Sequence, residues 1–234
     1  MTGVTVDMVV QAGLQQISAS RANAVEPERA DLKGITVFLD RDGTVNRDTG
    51  FVKTPEELEL LPGVAEAVLR LKRAGARVIV VTNQSGLARG LITPAALEAI
   101  HAKLRSLLTE SGTSLDAIYF CPHHPDEGCA CRKPKTGMVQ RAAAQLGLDP
   151  GGYYVIGDQR RDIELGHRIG ARTILVTTGP MSGEHLAALR TDGCPPDCAV
   201  ASLGEAVEWI VENCRSRQQS TVSRQLSLTT GLED

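Results

Sequence analysis

Val78-Ile79-Val80-Val81 sets four apolar residues in a row, three of them valines. A strand with one wet face alternates apolar and polar residues, so an unbroken run belongs to a strand covered on both faces. Strands of that kind sit in parallel sheets, and parallel neighbours need crossover connections long enough to hold a helix. The surrounding sequence supplies them. Residues 35–39 form a short apolar run that stops at Asp40, and residues 117–120, 153–156 and 173–176 read as further strands. Between them, residues 64–74 put Val64, Val68 and Leu71 on one helical face, with Gly75 as a C-terminal stop. Thr93 and Pro94 open a second helix whose stripe is Leu97, Ile100, Leu104 and Leu107 or Leu108, with His101 beside it. Helices over 138–146 and 162–169 follow, and a last unit near 199–211 closes the pattern. This alternation predicts an α/β fold, a doubly wound parallel sheet with helices on both faces, and it directs the search for chemistry to the carboxyl ends of the strands.

Domain organisation follows from where the pattern holds. Residues 34–214 form the expected domain, residues 1–33 a poorly structured leader with a short helix, and residues 215–234 a disordered tail without apolar periodicity. The 25 Lys and Arg against 28 Asp and Glu give a net charge of −3, which offers no basic surface for nucleic acid. No run of about 18 apolar residues exists, which excludes a membrane-spanning helix. Asp7 interrupts the first apolar stretch and no basic residue precedes it, so a cytoplasmic location and no membrane partner are expected. The expected state is a monomer.

Four polar clusters fall at four successive strand ends. The first is Asp40-Arg41-Asp42-Gly43-Thr44, whose acids at i and i+2 project to the same side of an extended chain. Paired acids suit a hard cation such as Mg2+ and the division of labour between a nucleophile and a general acid. The second is Thr82-Asn83-Gln84-Ser85-Gly86, the third Arg132-Lys133-Pro134, and the fourth Asp158-Gln159-Arg160-Arg161-Asp162. Each alone is an ordinary turn, cap or solvated patch, and Asp162 alone is an acid at a helix N-terminus. Their serial placement is harder to assign to turns.

Six cysteines occur, and Cys121, Cys129 and Cys131 lie within eleven residues. Clustered thiols in a reducing compartment read as metal ligands. With His123 or His124 they complete a Cys3His set, which leaves no open position and so describes a structural Zn2+ site. Cys194 and Cys198 have no histidine nearby in sequence and read as free thiols; Cys214 and Trp209 read as packing residues.

The order and wording of these motifs resemble the haloacid dehalogenase-like phosphohydrolases, from about residue 35 to residue 179. Within them the text is most similar to the D-glycero-D-manno-heptose 1,7-bisphosphate 7-phosphatases, with the histidinol-phosphate phosphatases as near relatives. The resemblance implies a three-layer Rossmann-like fold without a cap domain, and a phosphorylated sugar as substrate. It implies an aspartyl-phosphate on Asp40, Asp42 as general acid and base, and Thr82 and Lys133 as stabilising groups. Mg2+ would be held by Asp40, the Asp42 carbonyl and Asp158. Zn2+ would take Cys121, His123, Cys129 and Cys131, and its loop would deliver Arg132 and Lys133. The substrate side would draw on Arg41, Asp48, Thr49, Gly50, Phe51, Asn83, Gln84, Ser85, Arg132 and Gln159. Gln159 stands where some members have a basic residue, with Arg160 or Arg161 available to take that part. Phe51 stands where some have a tyrosine. A zinc-stabilised binding module without catalysis is the alternative outside enzymes.

Overall fold

A computed structural model describes residues 31–229. Residues 1–30 of the expected leader lie outside the described residues. Six strands form one sheet: β1 (Thr36–Leu39), β2 (Arg77–Asn83), β3 (Ala117–Cys121), β4 (Tyr153–Gly157), β5 (Arg172–Val176) and β6 (Cys198–Val200). Every pairing is parallel, and the spatial order is β3-β2-β1-β4-β5-β6. The chain therefore winds outward from β1 on one side, then returns to lay β4 beside β1 and winds outward on the other. This is the doubly wound arrangement that the apolar runs predict, and its reversal point lies between β1 and β4.

The helices between the strands are α1 (Val64–Arg73), α2 (Pro94–Glu110), α3 (Gly137–Leu146), α4 (Arg160–Arg168), α5 (Ser182–Thr191) and α6 (Leu203–Thr229). Thr93 caps α2, its side chain accepting from the Ala96 N–H at 3.1 Å. One face of the sheet sends Phe38, Ile79, Val81, Tyr119 and Val155 into a core with Met138, Val139 and Ala142 of α3 and Leu165 of α4. The alternate residues point to the other face, where Tyr154 meets the Trp209 ring and Cys214 of α6, and α6 packs on α1. The result is three layers with both sheet faces covered, the condition set by the unbroken apolar strands. All four residues of β1 are buried, as are all five of β4.

The tail differs from expectation. Helix α6 runs on to Thr229, past the point at residue 215 where irregular chain was expected. No Pro or Gly lies between residues 215 and 229, so a helix nucleated by its packed first half propagates through good helix formers such as Arg, Gln and Leu. Among the described residues no helix is long and apolar enough to cross a membrane.

The connections above the carboxyl edge are short. The segment from β1 to α1 holds one 3-10 turn (Pro55–Glu57), and the segment from β3 to α3 holds another (Pro125–Glu127). Among the described residues neither builds a separate domain over that edge.

Candidate active site

Four strand ends converge on one cluster. Asp40 leaves β1 with its N–H still donating to the Ile156 carbonyl of β4 at 2.9 Å, which fixes it at the reversal point. Asp158 leaves β4 next door. Thr82 and Asn83 end β2. Lys133 arrives from the loop after β3, its peptide bond to Pro134 cis.

Lys133 is buried and its Nζ lies 2.8 Å from Asp40 Oδ1 and 2.7 Å from Asp162 Oδ1. Burial works against its ammonium charge, but Asp162 and Asp40 outweigh that and hold the lysine above its usual range. Burial pushes the Asp40 carboxyl up to about 6, with Lys133 pulling against it and Asp162 pushing further. Asp162 spends its other oxygen on the Gln159 N–H at 3.1 Å. The sequence placed Asp162 in the fourth strand-end cluster, with a helix-terminal acid as its plain reading, and it is that too; its spacing from Asp158 gave no sign of the contact to Lys133.

Asp158 is the exposed need in this group. Its side chain is 1 % accessible, and neither carboxylate oxygen has a hydrogen-bond partner. Burial, then the like charges of Asp40 and Asp162, push it up to about 8. Two glycines make room for it. A Cβ on Gly179 would lie 1.9 Å from Asp158 Oδ2, and one on Gly43, where φ is +81°, would lie 2.6 Å from the same oxygen. Oxygens of Asp40, Asp158 and Asp162 approach within 4.8 Å of one another. A bare buried carboxylate beside another acid is costly unless a cation joins it. An oxygen-only donor set of this kind suits Mg2+.

Asp42 is set apart. Arg41 donates to it from Nε at 3.1 Å and from Nη2 at 2.9 Å to each oxygen, Asn46 Nδ2 donates at 3.0 Å, and Gln84 Nε2 at 2.9 Å. Burial raises its pKa, but these donors prevail and hold the carboxyl below its usual range. Arg41 itself is fully buried. Its Nη1 lies 3.5 Å from Nε2 of His101, whose pKa burial and then Arg41 push down to about 4. So Arg41, expected on the substrate side, instead sits behind Asp42. Because Asp40 and Asp42 project to one side of the extended chain, the residue between them must turn to the other, and there it meets α2.

A cavity of about 210 Å³ opens in front of these groups. Asp40, Asp42 and Thr82 form part of its wall, with Asn83, Gln84 and Ser85 beside them. Asp48, Gly50 and Phe51 line it from the β1 side, and Arg132, Gln159 and Arg161 from the other. Thr49 is exposed and outside this lining. Gln84 Nε2 also donates to Thr82 Oγ1 at 2.8 Å, so that hydroxyl keeps its own proton free for another acceptor. Asn83 is partly committed elsewhere: its Oδ1 accepts from the Lys133 N–H at 3.0 Å and its Nδ2 donates to the Lys133 carbonyl at 3.2 Å. Burial, then Arg161, hold the Arg132 guanidinium below its usual range. Of the two arginines after Gln159, Arg160 is tied to Glu164 at 2.6 Å and to Asp192, whereas Arg161 reaches the cavity.

The cysteine cluster closes as a Cys3His set. Cys121 Sγ lies 3.2 Å from Cys131 Sγ and 3.6 Å from Cys129 Sγ, and His123 Nδ1 lies 3.2 Å from Cys131 Sγ and 3.6 Å from Cys121 Sγ. A tetrahedral zinc with Zn–S near 2.3 Å has sulfur-to-sulfur edges of about 3.8 Å and sulfur-to-nitrogen edges of about 3.5 Å. The four atoms therefore need to move by only tenths of an ångström to fit Zn2+. His124 is occupied elsewhere, its Nδ1 3.2 Å from Asp126 at the start of the 3-10 turn. Arg132 and Lys133 follow Cys131 directly.

Comparison with known proteins agrees with this geometry. A polynucleotide kinase 3 phosphatase family model matches residues 36–159, and a HAD-hydrolase-like model matches residues 130–206. The D-glycero-beta-D-manno-heptose-1,7-bisphosphate 7-phosphatase of Pseudomonas putida is 47% identical over 146 residues, 61% of this chain and 82% of that protein. The D-glycero-D-manno-heptose-1,7-bisphosphate 7-phosphatase of Thermosynechococcus vestitus is 39% identical over 192 residues, 77% of this chain and 97% of its own length. The crystal structure of D,D-heptose 1,7-bisphosphate phosphatase from Bordetella bronchiseptica, complexed with magnesium and phosphate, superposes with a TM-score of 0.70 at 41% identity. That match covers 76% of this chain and 99% of the other. The chain belongs to the D-glycero-D-manno-heptose-1,7-bisphosphate 7-phosphatase family of haloacid dehalogenase-like phosphohydrolases, and so to the enzymes that hydrolyse phosphoric monoesters.

Proposed function

We propose that this enzyme removes the 7-phosphate of D-glycero-D-manno-heptose 1,7-bisphosphate, with Asp40 as nucleophile, Asp42 as general acid and base, and Asp40 and Asp158 holding Mg2+. The carrying observation is the bare Asp158 carboxylate beside the Asp40–Lys133–Asp162 ion network, of which Asp40 reaches the wall of a cavity that also presents Asp42 and two arginines.

In the first step a carboxylate oxygen of Asp40 attacks phosphorus and the bond from phosphorus to the sugar oxygen breaks. The leaving oxygen takes the electron pair of that bond and a proton from Asp42. In the second step Asp42 takes a proton from water, the water oxygen attacks phosphorus, and the bond to Asp40 breaks to release inorganic phosphate and the free carboxylate. Bound Mg2+ supplies positive charge that offsets repulsion between the anionic nucleophile and the phosphoryl oxygens. Lys133 adds its own charge at the same place. Thr82 has a proton to donate because Gln84 already serves its oxygen. Arg41, Asn46 and Gln84 fix the Asp42 carboxyl against rotation and favour its charged form, so the proton it gives to the leaving oxygen is one it takes up beside the bound phosphate anion. Arg132 would grip the phosphate that is not cleaved, by a forked contact. Zn2+ held by Cys121, His123, Cys129 and Cys131 would stiffen the segment that carries Arg132 and Lys133.

Phosphate release from the heptose bisphosphate, histidinol phosphate and a 3′-phosphorylated oligonucleotide tests the reading. The expected order puts the heptose bisphosphate first by a wide margin. A preference for histidinol phosphate transfers the assignment to that relative, and a preference for the oligonucleotide overturns it. Asp40→Asn is expected to lower turnover by ~10³-fold or more, and full activity in that variant removes the proposed nucleophile.

A further inference from the structure

Arg161 and Arg132 stand out among the cations around the cavity because no ion pair among the described residues involves either. Lys133 is neutralised by Asp40 and Asp162, Arg41 by Asp42, and Arg160 by Glu164 and Asp192. Arg161 lines the cavity with Arg132, none of the ion pairs among the described residues involves it, and its Nε is buried without a hydrogen-bond partner. The two guanidiniums face the same cavity of about 210 Å³, two like charges at one wall. Holding like charges together across a cavity costs free energy that an anion between them would return.

We propose that Arg161 is a specificity-determining residue: together with Arg132 it binds the phosphate that is not hydrolysed, and so selects bisphosphorylated over monophosphorylated sugars. This rests on the reading of the enzyme as a sugar bisphosphate phosphatase. Two arginines match such an anion well, since each guanidinium presents a planar fork of donors to phosphate oxygens. The position follows from the local sequence. Asp158 ends β4 and Asp162 must turn back to Lys133, so the first turn of α4 is fixed at both ends, and Arg161 leaves it toward the cavity while Arg160 leaves it toward Glu164 and Asp192.

The competing role is at the transferring phosphate, because Arg161 also feels the Asp40 carboxylate. The two roles separate by substrate. We would measure kcat/KM of the Mg2+-loaded enzyme for heptose 1,7-bisphosphate and for p-nitrophenyl phosphate, which has a single phosphate, in wild type, Arg161→Gln, Arg161→Lys and Arg160→Gln. In Arg161→Gln both values fall, but the bisphosphate value is expected to fall ~10–100-fold further, the range of a charge-assisted contact. Arg161→Lys is expected to keep part of the preference, which also covers failure of the glutamine variant to fold. Arg160→Gln is expected to keep all of it. Equal losses for the two substrates in Arg161→Gln overturn the proposal and move Arg161 to the transferring phosphate. A wild-type enzyme without any preference for the bisphosphate overturns the substrate reading, and this proposal with it.

Discussion

Lys133→Met removes the ammonium shared by a group of buried acids while keeping an unbranched apolar stem one atom shorter. At 2.7 and 2.8 Å, each ion pair carries ~6 kcal/mol of Coulomb attraction at an effective dielectric near 20. Desolvation of the lysine cancels much of that, and breaking a buried pair costs ~3–5 kcal/mol in practice. For a chain of this size that corresponds to ~6–20 °C in Tm. The deficit has a pH signature. Without Lys133, Asp40 loses the cation that favours its charged form, so its folded pKa rises further above the unfolded one. A carboxyl with a raised folded pKa holds its proton more tightly when folded, so the variant is penalised as pH climbs through those values and recovers as pH falls. Asp40 already stands near 6 and Asp158 near 8 in the wild type, which sets the window between about pH 5 and pH 8. Urea unfolding followed by Trp209 fluorescence, in buffer without Mg2+, is expected to give a deficit of ~3–5 kcal/mol near pH 8 that shrinks by ~1 kcal/mol or more near pH 5.5. Adding Mg2+ near pH 8 is expected to restore part of it, since the ion brings charge to the same acids. A deficit under ~1 kcal/mol near pH 8, or one identical at both pH values, refutes the reasoning.

Arg41→Met takes three hydrogen bonds from Asp42; its carboxyl pKa is expected to rise, moving upward the limb of the pH–rate profile that Asp42 sets, the alkaline limb where its acid role limits the rate and the acidic limb where its base role does, and two unmoved limbs mean Asp42 is not the group observed. Removal of zinc by a chelator, or Cys129→Ala, is expected to expose residues 122–131 to proteolysis and to lower Tm by several degrees, because that loop has almost no apolar packing of its own. Unchanged melting after verified metal loss would contradict a structural role.

The strands and the doubly wound parallel class were legible because an unbroken apolar run has few other uses and polar clusters at successive strand ends fall on one edge of such a sheet. The polar clusters that hold Asp40, Asp42, Thr82, Lys133 and Asp158 were legible that way, but their individual roles came from the resemblance of those motifs to a known family. The cysteine set was legible from spacing, although only coordinates separate His123 from His124, which serves Asp126. The inward path of Arg41 was not, since arginine between two aspartates reads as a surface charge until α2 is known to lie behind it. Asp162 was hidden for a related reason. Its spacing satisfies a helix N-terminus, and the partner that gives it a second use lies 29 residues earlier on another loop. His101, which borders its apolar stripe in sequence, is buried against Phe120 and Arg41. Helix α6 continues past residue 215 because local hydrogen bonding propagates where no Pro or Gly stops it.

Asn83 carries two expectations at once, since it lines the cavity yet brackets the peptide of Lys133 from both sides. The short segment Cys131-Arg132-Lys133 is thus tied at one end by the cysteine set and at the other by an amide from β2. A side chain that uses both its oxygen and its nitrogen on one neighbouring residue has one proton and one lone pair left for substrate. Fixing the ammonium is therefore its larger duty. Asn83→Ala removes two hydrogen bonds worth ~1 kcal/mol each, and the displaced lysine is expected to lower kcat about tenfold while KM for the bisphosphate changes less than ~3-fold. Chelation should deepen the loss beyond the product of the two separate effects, because either tether alone still limits where Lys133 can go. A variant with raised KM and undiminished kcat would instead make Asn83 a sugar contact, and would leave the zinc loop as the sole device that aims Lys133 at the phosphoryl group.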